Sequence, residues 1–78
     1  MNILIGDIGN TVTKISLVDY KIYKIKKLIY LDSKKILSTK YLKGNLSKLI
    51  RNKNLFKFAL FSSVVPTYHY KIKNFLLK

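Results

Sequence analysis

The hydrophobic pattern along the chain changes period several times, and each change marks an element. Asn2 to Gly6 is a short apolar run with β-branched Ile3 and Ile5. It is too short for a helix and predicts a buried strand. Asp7-Ile8-Gly9-Asn10 is dense in turn formers. From Thr11 to Asp19 the pattern alternates, with Thr13, Ile15 and Leu17 on one face and Lys14, Ser16 and Val18 on the other. Alternation on both sides of a tight turn predicts a β-hairpin. Asp19-Tyr20-Lys21 predicts a second turn, and Ile22 to Leu31 a third strand whose lysines keep one side wet.

Asp32 to Thr39 has no clear period, and the sequence assigns it no element. Leu42, Leu46, Leu49 and Ile50 then recur at the i, i+4, i+7 and i+8 spacing of an amphipathic helix. Gly44 inside that stripe costs about 1 kcal/mol relative to alanine. This favours a helix that starts only at Asn45, a good N-cap, and ends at Asn52 to Asn54. Phe56 to Val64 is aromatic and β-branched and predicts a fourth strand, central in its sheet. Pro66 suits the first turn of a closing helix, where its missing N–H is not needed. Val65, Tyr68, Ile72, Phe75 and Leu76 share one face of that helix, which runs to Lys78 without a C-cap signal.

The order is therefore β-β-β-α-β-α, an α/β chain with a mixed sheet. The first three strands are expected to form an antiparallel meander. The helix between strands three and four lets Ala59–Phe61 lie parallel to Ile3–Ile5, on the side away from the second strand.

At 78 residues the chain allows one small domain or a piece of a larger one. It has no cysteine, no glutamate and one histidine, His69; its carboxylate side chains are Asp7, Asp19 and Asp32. Disulfides and thiolate metal sites are excluded, and paired-carboxylate hydrolysis has little to draw on. The apolar start lacks a preceding basic segment, and no apolar run approaches a membrane span, so a cytoplasmic protein with no membrane partner is expected.

The net charge of +13 suggests a polyanion partner. However, 15 of the 16 cations are lysine, and Lys, Ile, Asn, Tyr and Phe make up 41 of the 78 residues. All five have AT-rich codons, so codon bias supplies the charge without a functional cause. Nucleic-acid readers favour arginine for bidentate contacts, and Arg51 is the only one. No specific nucleic-acid partner is expected, although a basic nucleic-acid-binding module stays open as an alternative.

Asp7-Ile8-Gly9-Asn10-Thr11 is the most informative stretch. An acid at the end of a first strand precedes a Gly-bearing turn and two small polar side chains. Turn N–H groups can cradle an anion, Gly9 admits close backbone approach, and Asp7 can hold Mg²⁺ through a bound water. The same residues also make an ordinary hairpin turn, where Asp, Gly and Asn serve conformation alone.

This stretch, directly after an apolar strand, resembles the first phosphate motif of the type III pantothenate kinase family, within the actin-like ATPase and sugar kinase superfamily. Its four fixed positions would match by chance at roughly one position in 10⁵. Ser62-Ser63-Val64-Val65-Pro66 resembles a Ser-Val-Val-Pro segment that the family carries at the end of its fourth strand. The resemblance covers the whole chain, while the chain covers only the N-terminal part of the family.

The resemblance implies an incomplete N-terminal ribonuclease H-like (actin-like ATPase) domain over residues 1–78, with the remainder of that domain and a second domain absent. It implies ATP-dependent phosphorylation of pantothenate, the first step of coenzyme A biosynthesis, by an enzyme that is a homodimer when intact. The ATP window falls on Asp7, Ile8, Gly9, Asn10, Thr11, Val12 and Thr13, extending to Lys14, and the metal position on Asp7. Lys14 stands where the family often has an apolar residue. Mg²⁺ and a monovalent cation (K⁺ or NH₄⁺) are the implied ions. The family's Gly-Ala-Asp-Arg motif, whose Asp is the general base, and its second Asp-Phe-Gly-Thr phosphate loop are not in this sequence. No catalytic residue is therefore assigned, and neither Asp7, Asp19 nor Asp32 can take the base role. Another actin-like ATPase or sugar kinase is the alternative within the superfamily.

Other motifs carry less. Three glycines allow neither a P-loop nor a dinucleotide fingerprint. Gly6-Asp7-Ile8-Gly9 matches the GxxG of KH domains, but that loop joins two helices. His69 has no nucleophile elbow to serve. The helix from Pro66 could lie on a membrane surface, and Tyr20, Tyr23 and Tyr30 could stack on single strands. A core-facing stripe and a half-exposed strand explain both as well.

Overall fold

The computed structural model describes residues 1–49 and 56–77. Four strands and two helices follow in the expected order: β1 (Asn2–Ile8), β2 (Val12–Asp19), β3 (Lys24–Asp32), α1 (Thr39–Leu49), β4 (Ala59–Ser63) and α2 (Pro66–Leu77). The sheet order is β3-β2-β1-β4. β1 pairs antiparallel with β2 and parallel with β4, with Leu4 opposite Ala59 and Gly6 opposite Phe61. The meander and the parallel return strand are thus as the sequence predicts. β4 is an edge among the described strands, against the expectation of a central one.

Alternation decides what each face carries. Leu4, Ile8, Ile15, Leu17 and Leu31 point to one side, where Ile36, Leu42, Leu46 and Leu49 from α1 and its approach, and Ile72 from α2, close a single core. Burying side chains of this size contributes about 1.5–3 kcal/mol each, which is what holds so short a chain together. Tyr68, Phe75 and Leu76 pack against the same core, as their shared helical face implies. The opposite face carries exposed Ile5, Leu28 and Leu60, and Asp7 lies on it.

Four elements depart from the boundaries that the sequence predicts, the fourth strand among them: it is expected over Phe56 to Val64 and pairs as a strand only over Ala59–Ser63, where it lies alongside Leu4–Ile8 of β1. β1 runs on to Ile8, because pairing with β2 on one side and β4 on the other carries the strand through Asp7. β3 starts at Lys24 rather than Ile22, because residues 20–23 form the turn, with Tyr23 at a left-handed φ of 54°. The Asp19 carboxylate accepts the Lys21 N–H at its start. Lys26 is the extra residue of a bulge, since Val18 pairs with Ile25 and Leu17 with Lys27.

The last departure is in α1. It starts at Thr39, and Asn45 lies inside it, its side chain donating to the Tyr41 carbonyl. Ser38 is the cap: its hydroxyl accepts the Tyr41 N–H (3.3 Å) and its carbonyl the Leu42 N–H (3.1 Å). The stripe Leu42, Leu46 and Leu49 is fully buried, and that burial outweighs the cost of Gly44. Ser38→Ala is expected to lower stability by about 1 kcal/mol, measured by chemical denaturation of the full-length protein. Ile50 and the predicted helix end at Asn52 to Asn54 lie outside the described residues.

Candidate functional site at the ends of strands β1 and β4

β1 and β4 are parallel, so their carboxyl ends emerge on the same side of the molecule. Ligands of open α/β sheets bind in the crevice beyond such ends. The two stretches singled out in the sequence meet here. Asp7 is opposite Ser62, Ile8 is opposite Ser63, and the Val64 N–H donates to the Ile8 carbonyl (3.1 Å). They lie 55 positions apart in the chain, from Asp7 to Ser62, and side by side in the fold.

The loop after β1 is a two-residue hairpin connection, Asn10-Thr11, closed by the Gly9 N–H donating to the Val12 carbonyl (3.1 Å). None of its residues has a positive φ, so it is not one of the primed turns that hairpins favour. Gly9 is required for space instead. A Cβ there would stand 2.9 Å from the Val12 carbonyl oxygen, closer than real Cβ contacts come. The N–H groups of Asn10 and Thr11 donate to no acceptor among the described residues. Both residues are exposed, so two successive donors are open to an anion.

The three carboxylates differ in what they do. Asp19 accepts the Lys21 N–H and lies 3.7 Å from the chain's N-terminal ammonium. Asp32 accepts the Lys34 N–H (3.1 Å) and starts the short 3₁₀ turn Ser33–Lys35. Each serves a turn. Asp7 lies within a strand and is exposed, and its carboxylate has no hydrogen bond or ion pair among the described residues. Turn geometry therefore does not account for it. Strand register places it in a row running Tyr30, Lys14, Asp7, Ser62 across the sheet. An unengaged carboxylate beside open backbone donors fits Mg²⁺, which takes one or two carboxylates and fills its remaining positions with water and phosphate oxygens. Among the described residues no cluster of three metal-ligating side chains exists, so an all-protein metal cage is not available.

The rest of the predicted window divides by burial. Lys14 is exposed on the same face as Asp7, directly opposite it. Asn10, Thr11 and Val12 are exposed, while Ile8 is buried and offers only backbone. Thr13 is fully buried, its hydroxyl 2.7 Å from that of Ser33. The sequence reading gave Ser33 no role. Its contact with Thr13 spans 20 residues and leaves no local signal.

The competing motifs separate from this site. Gly6, Asp7 and Ile8 are strand residues, not a loop between helices, so the KH-like match fails structurally. His69 packs edge-on against Phe61 (6.1 Å between ring centres) and Tyr70 (5.8 Å), and no hydrogen bond joins it to a serine or aspartate. The Ser63 hydroxyl is occupied by the Val65 backbone, accepting its N–H (3.0 Å) and donating to its carbonyl (2.9 Å) at the start of α2. Among the described residues no helix is long and apolar enough to cross a membrane.

The family model described as type III pantothenate kinase matches residues 3–78. A curated protein named type III pantothenate kinase, from Pelagibacter ubique (strain HTCC1062), is 45% identical over 76 residues. That alignment covers 97% of this chain, and the chain spans 30% of the relative's length. No solved structure matches the chain.

Proposed function

The chain belongs to the type III pantothenate kinase family, and from that premise we propose that the full-length protein transfers the γ-phosphoryl group of ATP to the hydroxyl of pantothenate. The observation that carries this reading is the juxtaposition of the Asp7–Thr11 and Ser62–Pro66 stretches at the carboxyl ends of two parallel strands. In this reading Asp7 through Lys14 form the ATP window. The Asn10 and Thr11 N–H groups bind phosphate oxygens, Gly9 keeps the backbone close to them, and Lys14 offers a cation on the same face. Ile8, Val12 and Thr13 shape the backbone that presents these groups. Asp7 holds Mg²⁺, which when bound neutralises phosphate charge. Phosphoryl transfer needs little covalent help from a protein, so positioning and charge stabilisation are what these residues supply.

A monovalent cation, a homodimeric assembly and a cytoplasmic location complete the proposal, with no specific nucleic-acid or membrane partner. The general base and the second phosphate loop come from outside these 78 residues. The test is pantothenate-dependent consumption of ATP by the full-length protein, with the phosphorylated product identified by mass. The 78 residues alone are expected to give none. Absence of pantothenate-dependent turnover in the full-length protein would remove the substrate assignment. Tight DNA binding that falls steeply with salt would instead favour a basic nucleic-acid-binding module.

A further inference from the structure

Residues 32–36 have no part in the reading above, yet they are attached directly to the candidate loop. The Ser33 N–H donates to the Thr11 carbonyl (3.0 Å), adding a rung beyond the last β2–β3 pair, Val12 with Asp32. The Ser33 and Thr13 hydroxyls are hydrogen-bonded at 2.7 Å; both residues are fully buried, and neither hydroxyl has another partner among the described residues. Ser33 thus holds the loop's return limb at two points, one on each side of Val12. Ser33 is itself fixed. Its carbonyl accepts the N–H of fully buried Ile36 (3.1 Å), and the Asp32 N–H donates to the Tyr41 hydroxyl on α1 (2.8 Å). A continuous set of contacts therefore runs from α1, through Ser33, to the loop.

Resting on the reading of this loop as a phosphate cradle, we propose that Ser33 is a positioning residue that holds the Thr11–Thr13 backbone in its phosphate-binding geometry. The Asn10 and Thr11 donors stabilise phosphate charge only when they are already aimed at it, since donors that must reorganise lose that advantage. The loop's own closure is a single hydrogen bond between Gly9 and Val12. Ser33 adds two anchors, at Thr11 and Thr13, from the buried side of the sheet, without touching the ligand. A hydroxyl pair with no alternative partner in a dry core holds one geometry strongly.

The experiment uses the full-length protein with Ser33→Ala, Thr13→Val and the double variant. KM for ATP, KM for pantothenate, kcat and the thermal midpoint are measured for each, with Asp7→Asn alongside as a control on the site. Each single variant is expected to raise KM for ATP about tenfold, with KM for pantothenate changed less than about twofold. The double variant leaves no buried hydroxyl without a partner, so its thermal midpoint is expected to recover towards wild type. Its KM for ATP is expected to stay raised. Should Ser33→Ala fail to fold, Thr13→Val keeps the volume and reads the same bond from its other end. Recovery of midpoint and KM together in the double variant would overturn the proposal, because the pair would then be packing alone. A lowered midpoint with normal KM for ATP in the single variants would also overturn it. If Asp7→Asn is impaired in that case, the fault lies with the role given to Ser33. If Asp7→Asn is also normal, it lies with the reading of the loop.

Discussion

Full-length protein carrying Gly6→Val is expected not to accumulate as a folded molecule, and Gly6→Ala to lose about 3 kcal/mol of stability. Gly6 is buried in β1 between Leu4 and Ile8, on the face that meets the helices. The Phe61 ring of the neighbouring parallel strand lies directly over it, and a Cβ at residue 6 would overlap that ring. Phe61 is half-buried, with His69 of α2 edge-on against it and a cavity lined by Phe56, Ala59, His69 and Leu76 beside it. Any side chain at residue 6 therefore displaces the Phe61 ring or the β4 strand that carries it, and β4 also carries the Ser62–Pro66 stretch beside Asp7. The measurement is chemical denaturation of Gly6→Ala, of Phe61→Leu and of the double variant. If the ring causes the cost, the two changes are expected to couple favourably by about 1 kcal/mol, since a smaller residue 61 admits the new methyl. Strict additivity would show that Gly6 matters for another reason.

That contact also shows what kind of information the sequence carries. The alternation of Thr13, Ile15 and Leu17 against Lys14, Ser16 and Val18 makes β2 and its inward face legible, because a half-buried strand repeats every two residues. The parallel return of Ala59–Phe61 is legible because few topologies connect three strands, a helix and a fourth strand without crossing. By contrast, the start of α1 depends on a competition between the local cost of Gly44 and the burial of Leu42, and only the packed structure settles it. The need for glycine at residue 6 comes from a ring 55 positions further along the chain. Ser33 is invisible for the same reason, since its partner Thr13 is reached through the sheet rather than along the backbone. In the candidate site, residue types signal Asp7, Gly9, Asn10 and Thr11. Which of them face outward, and that Asp7 serves no turn, are tertiary facts.

Asp7→Asn is the substitution that decides between those two roles. Asparagine keeps the size and turn-forming ability of the side chain and removes only its charge. In the native fold the Asp7 carboxylate has no partner among the described residues, and Lys14, although directly opposite, forms no ion pair with it. Little stabilising interaction is lost, so the change is expected to move stability by less than about 0.5 kcal/mol, as for most exposed sites. The effect on catalysis is expected to be far larger. If Asp7 anchors Mg²⁺ against the phosphates, its loss displaces the main source of charge neutralisation in the transition state. Removing one such stabilising group typically costs about 3–4 kcal/mol, or roughly 10²–10³ in kcat. The measurement is steady-state kinetics of the full-length variant across a magnesium titration, with circular dichroism as the check on folding. Partial recovery of rate at high magnesium would fit a weakened but correctly placed metal, because occupancy then rises by mass action. Near-normal turnover at every magnesium concentration would remove the metal role. Asp7 would then be a strand residue whose exposed carboxylate has no catalytic use, and the reading of the loop as a phosphate cradle would lose its metal-binding partner and be in question with it.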